Sequence, residues 1–203
     1  YYQDNCQLTD QIANAARVTK ASKFINLSSC AVFGVHSSDK PISIESVCLP
    51  MDPYSQTKYV SEKLVENHFH ESCVEYTSVR PPIVYGQNAP GITSTIIKLN
   101  KLPLPIKILD SNNRSAVHIE TLLKNIIHLI YSGKPLEPLY VFCDDKAYST
   151  LSLFQRVGEI HEQKLIYFGD VPSFRLRKMI RYLYSIINAK LTSSLVFERN
   201  NVC

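Results

Sequence analysis

The first ninety residues alternate between two spacings of apolar side chains. Helical spacing predicts helices over 7–19 and about 52–70, and short apolar runs predict strands at 24–27 and 74–79. The apolar positions of the first helix are Leu8, Ile12, Ala15 and Ala16, and those of the second are Val60, Leu64, Val65 and Phe69. Helices that alternate with short strands are typical of an α/β fold with a parallel sheet.

The second helix has a sharp start in the sequence. Asp52 is a preferred N-cap residue, and Pro53 stands at the first helical position, where a missing N–H costs no hydrogen bond. The stretch 34–51 before it contains prolines and small polar residues, which predict a loop.

Residues 91–203 show a mixed pattern, for which we predict a smaller lobe together with the last elements of the sheet. The predicted elements are helices at 92–99, 118–131, 149–160 and 173–188, strands at 139–142 and 165–168, and an extended segment at 102–109. The apolar side of helix 118–131 comprises Ile119, Leu122, Leu123, Ile126, Ile127 and Ile130. Helix 173–188 has a basic face; we expect it to dock on the domain, and a membrane-surface role is the alternative.

The composition is that of an ordinary globular protein, with 45% hydrophobic and 20% charged residues and a net charge of +4. No apolar run reaches the roughly 18 residues of a membrane span, and no signal-peptide pattern is present.

The six cysteines, at positions 6, 30, 48, 73, 143 and 203, lack metal-site spacing. We therefore expect reduced thiols, no metal and a cytoplasmic location. No basic run predicts nucleic-acid binding, and the mild positive charge suits an anionic nucleotide ligand.

Glycine is scarce, with six residues in the chain. Neither G-x-G-x-x-G nor G-x-x-x-x-G-K occurs, so the sequence contains no glycine-rich phosphate-binding turn.

Two Tyr-x-x-x-Lys pairs lie on the helix predicted at 52–70. Residues four apart share a helix face, so Tyr54 lies beside Lys58 and Tyr59 beside Lys63. The second pair continues a polar line that we expect to face water. The first pair borders the apolar side of the helix, which makes it the better candidate for chemistry.

The Tyr54 and Lys58 pair has the composition of a tuned acid and base. A free tyrosine has a pKa of about 10, and a neighbouring ammonium group favours the phenolate and lowers that pKa. The pair can then transfer a proton near neutral pH. Ser29, at the end of the strand predicted at 24–27, stands where parallel sheets bind ligands and could hold the same substrate oxygen.

These residues carry a resemblance to a known family. Tyr54-x-x-x-Lys58, with Ser29 upstream, resembles the extended short-chain dehydrogenase/reductase superfamily of nucleotide-sugar epimerases, dehydratases and reductases. Residues 1–34 are similar to UDP-glucose 4-epimerases. The segments 80–86, 102–105, 113–115, 149–151 and 191–195 more closely resemble a branch of UDP-4-keto-6-deoxy-N-acetylhexosamine reductases or 4-epimerases.

The resemblance implies a fold, a cofactor and a substrate class. The fold would be a Rossmann-type parallel sheet with a small C-terminal substrate-binding lobe. Residues 1–90 would be the remaining part of the dinucleotide-binding domain, and 91–203 the mixed region with the lobe. NAD or NADP would be the cofactor and a UDP-sugar the substrate, with hydride transfer at C4. A homodimer through the 52–70 helix would follow by analogy.

The resemblance also assigns roles to single residues. Ser29, Tyr54 and Lys58 would be catalytic: Ser29 would bond the C4 oxygen, Tyr54 would exchange its proton, and Lys58 would bind the nicotinamide ribose. The cofactor-lining positions would be Asn5, Ser28, Tyr54, Lys58 and Pro81. Ser29, Ile83 and Arg114 would contact the substrate, Arg114 at the diphosphate, which suits a guanidinium group.

Two departures from the family pattern affect these expectations. Many members have Asn where this chain has Ile83, which makes a strict 4-epimerase less secure than a reductase. The similarity also begins after the glycine-rich turn and stops soon after Leu195, so we expect a chain truncated at both ends.

A 4,6-dehydratase is a weaker alternative, because Ser29-Cys30 offers no extra acidic residue. A non-catalytic remnant that acts as a binding module, or has no function, is the other alternative.

Overall fold

The computed structural model describes residues 1–34, 41–89, 91–100 and 112–163. A short π-helix, Gln3–Gln7, leads into the first α-helix, and a 3₁₀ turn spans Cys30–Phe33. The α-helices are α1 Leu8–Val18, α2 Pro53–Phe69, α3 Ile92–Asn100, α4 Ile119–Tyr131 and α5 Thr150–Ile160. The strands are β1 Lys23–Leu27, β2 Glu75–Val79, β3 Ile83–Tyr85, β4 Ala116–His118 and β5 Leu139–Tyr140. The predicted segments 102–109, 165–168 and 173–188 lie outside the described residues.

The first sheet is parallel and has the order β1-β2-β5. Neighbouring residues of β1 contribute to different clusters, as the alternation of side chains along a strand requires. Phe24 packs with Ala13 of α1 and Val65 of α2, whereas Ile25 packs in a cluster that contains Leu122 of α4. Helices therefore cover both faces of this sheet, which confirms the predicted α/β fold with a parallel Rossmann-type sheet.

A second parallel sheet, β3-β4, was not predicted from the sequence. It packs against α3 and α5 around a cluster that contains Ile96, Leu153 and Val157. Strands of three residues show too little alternation to be recognised in a sequence. Because β3 lies before residue 90 and β4 after it, this sheet joins the two predicted domains; their division stays a prediction.

Within the described ranges the predicted helices and long strands are present, but several predicted apolar positions are exposed. On α1, Leu8 and Ile12 are both 49% exposed, and Ala13 is buried instead. On α2, Val60 is 43% exposed, whereas Val65 and Phe69 are buried as predicted. Ala13 is buried in a cluster with Val65 and Phe69 of α2, so the buried side of α1 is narrow.

Helix α4 shows the same difference. It buries Leu122 and Leu129, while Leu123, Ile127 and Ile130 are exposed. Periodicity identified the helix but not which part of its wide apolar side meets the sheet. None of the helices in the described ranges is long and apolar enough to cross a membrane.

Candidate active site

The first turn of α2 is held by a capping box. The Asp52 carboxylate accepts a hydrogen bond from the Ser55 backbone N–H at 2.9 Å, and the Ser55 hydroxyl oxygen accepts one from the Asp52 N–H at 3.1 Å. Pro53 occupies the first helical position, as predicted. The box and the proline fix the direction of the turn that carries Tyr54.

Lys58 connects this helix to the carboxyl end of β1. Its Nζ donates a hydrogen bond of 2.8 Å to the Leu27 carbonyl oxygen, across 31 positions of sequence. Burial lowers the pKa of Lys58 below its ordinary value. The hydrogen bond to Leu27 places the ammonium group at the strand end from which Ser28 and Ser29 continue.

The two serines after β1 differ in their hydrogen bonding. Ser29 caps the 3₁₀ turn, and its Oγ accepts a bond from the Ala31 N–H at 3.2 Å. That bond uses a lone pair of the hydroxyl oxygen and leaves the proton able to reach a ligand. Ser28 is buried, and its Oγ has no hydrogen-bond partner within the part of the chain that the structure describes.

Asn5 reaches the same helix turn. Its side-chain amide donates to Thr57 Oγ1 at 3.0 Å, and that hydroxyl donates to the Tyr54 carbonyl oxygen at 3.0 Å. The ring of Tyr1 contacts the ring of Tyr54 edge to face, with centroids 5.5 Å apart. Asn5 thus lies beside the turn that carries Tyr54.

The remaining predicted site residues lie in two places. Pro81 is buried, and its carbonyl oxygen accepts a bond from the Cys30 N–H at 3.0 Å, so it lies next to Ser29. Ile83 begins β3 and packs against the core of the second sheet. Arg114 pairs with Tyr148 in an antiparallel bridge, and burial lowers its pKa to about 10.

The second Tyr/Lys pair differs from the first in its contacts. Lys63 forms an exposed ion pair with Glu66 at 2.8 Å, and its Nζ lies 5.7 Å from the centre of the Tyr59 ring. The prediction that this line faces water was wrong for Tyr59, which is half-buried against a cluster that contains Phe33 and Ile42. A tyrosine ring covers apolar surface while its hydroxyl stays near water.

A buried ion pair next to the site was not predicted from the sequence. Arg80 Nε donates to Glu62 Oε1 at 2.8 Å and Nη2 donates to Oε2 at 2.6 Å. Glu62 follows Lys58 by one helical turn, so helix periodicity indicates that the two share a face, but no sequence pattern indicates that Arg80 meets that face.

A second missed cluster joins the β3-β4 sheet to the segment after β5. The hydroxyls of Tyr85 and Tyr148 both donate to Asp144 Oδ2, at 2.7 and 3.0 Å. The other carboxylate oxygen accepts a bond from the His118 N–H at 3.2 Å. Burial and the Asp144 carboxylate raise the pKa of Tyr85 far above its ordinary value. This network links β3, β4 and the segment that follows β5.

A parallel sheet covered on both faces, with hydroxyl and amine groups at the carboxyl end of a strand, is typical of α/β proteins that bind nucleotides. Residues 1–137 match the model of the NAD dependent epimerase/dehydratase family. The chain belongs to that family.

Known proteins agree with this assignment. The chain is 28% identical over 164 residues to UDP-glucose 4-epimerase of Vibrio cholerae, a match that covers 78% of this chain and 49% of that protein. UDP-glucuronic acid 4-epimerase from Bacillus cereus, solved in complex with NAD, is similar with a TM-score of 0.68 and 22% identity. The match covers 80% of this chain and 54% of the epimerase chain. dTDP-4-dehydrorhamnose reductase from Bacillus anthracis, solved with NADP, is similar with a TM-score of 0.68 and 18% identity. That match covers 97% of this chain and 63% of the reductase chain. The chain thus spans about half the length of the curated relative.

Proposed function

We propose that this chain provides the proton-transfer groups of an NAD(P)-dependent nucleotide-sugar epimerase or reductase that acts at C4 of a UDP-sugar. The observation that carries the proposal is the hydrogen bond from Lys58 to Leu27, which brings the helix of Tyr54 to the strand end that continues into Ser29. Membership of the NAD dependent epimerase/dehydratase family supports the same reaction class.

The chain's residues fit a nicotinamide dinucleotide at this strand end. Ser28 offers a buried hydroxyl with no partner among the described residues, and such a group gains a hydrogen bond when a polar ligand binds. Lys58 would hold the nicotinamide ribose, and Asn5 and Pro81 would line the same side. The bound cofactor would supply hydride transfer at C4. NAD and NADP both remain within the proposal.

The protein groups then act on the C4 oxygen. In the reductive direction Tyr54 gives its phenolic proton to that oxygen, and Ser29 donates a hydrogen bond to it. Lys58 places a positive charge near the oxygen and orients the ribose. In the epimerase direction Tyr54 first removes the proton of the C4 hydroxyl and later returns it.

Arg114 and Ile83 would select the substrate. We assign Arg114 to the diphosphate of the UDP-sugar, because a guanidinium group matches phosphate oxygens in two directions. Ile83 would make an apolar contact with the sugar where many family members have Asn, which favours a deoxy sugar and the reductase direction.

The proposed assembly is a homodimer through the 52–70 helix, in a cytoplasmic enzyme. Exposed Val60 on α2 and exposed Leu8 and Ile12 on the adjacent α1 offer apolar surface for a second copy. Sedimentation measurements would test this assembly, and a monomer at all concentrations would contradict it.

The first experiment is a fluorescence titration of the chain with NADH and NADPH, followed by a turnover screen with UDP-4-keto sugars. Saturable binding that Lys58→Ala weakens, with NADH consumption by a UDP-4-keto sugar, is the expected result. A folded chain that binds neither nucleotide would contradict the proposal and favour a non-catalytic module. The longest natural polypeptide that contains this sequence serves as the reference for turnover.

A further inference from the structure

We propose that the Glu62–Arg80 ion pair positions Tyr54, Lys58 and Ser29 for proton transfer, an inference that rests on the proposed function. The pair is bidentate, with two charge-assisted bonds of 2.8 and 2.6 Å. Both side chains are largely removed from water, with 7% of Arg80 and 8% of Glu62 exposed. A planar fork of this kind fixes direction as well as distance between two elements.

Arg80 contacts the segment that carries Ser29. The guanidinium carbon lies 4.7 Å from the centre of the Phe33 ring, in the 3₁₀ turn that Ser29 caps. The Cys30 thiol donates a bond of 3.0 Å to the Arg80 carbonyl oxygen. The residue immediately after Ser29 is therefore held by the backbone of Arg80.

Arg80 also belongs to the sheet itself. It directly follows β2, and its backbone N–H donates to the Tyr140 carbonyl oxygen of β5 at 2.8 Å. Arg80 thus contacts α2 through Glu62 and the last strand of the sheet through its backbone N–H. It contacts the Ser29 segment through the Phe33 ring and through the bond that its carbonyl oxygen accepts from Cys30. A substitution of Arg80 would alter contacts with both elements that carry a proposed catalytic residue, α2 and the Ser29 segment.

Glu62 acts on the catalytic helix face. Tyr54, Lys58 and Glu62 are spaced four residues apart, so they lie along one side of α2. The Lys58–Leu27 bond and the Glu62–Arg80 pair anchor that side one helical turn apart, the first to β1 and the second to the end of β2. A second anchor one turn further along the same side restricts the pivoting of this face about the first anchor.

The contribution of such a pair is position more than stability. Desolvation of two charges offsets most of their attraction, so well-packed apolar residues of similar size often stabilise a protein equally well. This difference provides the test. We expect the double variant Glu62→Leu/Arg80→Met to keep its stability while it loses the directional fork.

We would measure kcat, KM and thermal stability for this double variant and for a matched surface control, Lys63→Met/Glu66→Leu, which removes the exposed ion pair of the same helix. A positioning role predicts a 10- to 100-fold fall in kcat, roughly the loss that small displacements of reacting groups cause, with KM little changed. The control is expected to keep its kcat. A double variant that keeps both the stability and the kcat of the wild type would overturn the inference.

A second readout needs no turnover. Competitive acetylation followed by mass spectrometry measures the reactivity of each lysine, with exposed Lys124 of α4 as the internal standard. Loosening of the Lys58–Leu27 bond predicts a several-fold rise in Lys58 labelling in the double variant and none in the control. Unchanged Lys58 labelling would overturn the inference even if the wild type shows no activity, whereas an inactive wild type with the expected labelling would contradict only the proposed function. If the double variant does not fold, Arg80→Lys, which keeps the charge and removes the fork, is judged by the same two readouts.

Discussion

The ammonium group of Lys58 is hydrogen-bonded to the carbonyl oxygen of Leu27 at 2.8 Å. The bond joins the second turn of α2 to the last residue of β1, from which the chain continues into Ser28 and Ser29. The Tyr/Lys spacing in the sequence only places both side chains on one helix face. The bond shows which end of the sheet that face meets.

Tyr54→Phe is expected to abolish turnover and leave nucleotide binding intact, because it removes the phenolic hydroxyl and its transferable proton but keeps the ring. Tyr59→Phe is the matched control, since Tyr59 has the same spacing to a lysine but packs against the apolar cluster around Phe33. NADH absorbance during turnover and NADH fluorescence during titration measure the two properties. Equal activity of the two variants would contradict the role of Tyr54.

Ser28→Ala is expected to stabilise the nucleotide-free chain by about 1 kcal/mol, because it removes a buried hydroxyl that has no partner among the described residues. The same variant should weaken NADH binding. Ser78→Ala is the control: its hydroxyl accepts a 3.1 Å bond from Asn26, so its loss should destabilise the chain by about 1 kcal/mol. Urea denaturation with and without NADH gives both quantities. A destabilising Ser28→Ala would indicate that the hydroxyl is used within the folded chain.

Lys58 should make the free energy of unfolding depend on pH. Burial lowers its folded-state pKa below the ordinary 10.5, so the unfolded chain binds more protons in the interval between the two values. The stability of the wild type relative to Lys58→Met therefore rises as pH increases through that interval. Urea denaturation at several pH values up to about 10.5 measures the difference.

Lys63→Met is the control for that experiment. The hydrogen bond with Glu66 raises the pKa of Lys63 above 10.5, so its contribution is constant below that pH and falls only above it. A flat difference for Lys58→Met, or a falling one, would contradict the burial of the Lys58 amine.

Asp52→Ala is expected to cost about 1 kcal/mol in unfolding free energy, because the Ser55 N–H loses its capping partner. Asp52→Asn should keep most of that stability, since asparagine caps a helix about as well as aspartate. If Tyr54 depends on the geometry of this turn, kcat falls for the alanine variant and is retained for the asparagine variant. Thermal denaturation and turnover of both variants check the two expectations.

Strong local signals made the first half of the fold predictable. Asp52-Pro53 marked the start of α2 to the residue, because capping and the missing proline N–H are properties of adjacent residues. The strands at 23–27 and 75–79 were found within one residue, because each is a short apolar run between breakers. The predicted strand at 139–142 is present as Leu139–Tyr140.

Features that depend on distant residues could not be predicted. Glu62 and Arg80 are 18 positions apart and meet only because α2 crosses the end of β2. The exposure of Ile12 and Ile127 depends on which side of each helix meets the sheet, and periodicity alone does not contain that information. Likewise, the hydroxyl of Ser28 could be recognised as unpartnered only after its surroundings were known.

The residue-by-residue pairing of β1 with β2, from Lys23 with Glu75 to Leu27 with Val79, restricts how this chain can change in length. An inserted or deleted residue in either strand would turn every later side chain of that strand to the opposite face of the sheet. Ser28 and Arg80, which directly follow paired positions, would then point away from α2. Among homologues, insertions and deletions should therefore accumulate in 41–51 and 132–138 and be absent from 23–33 and 75–82.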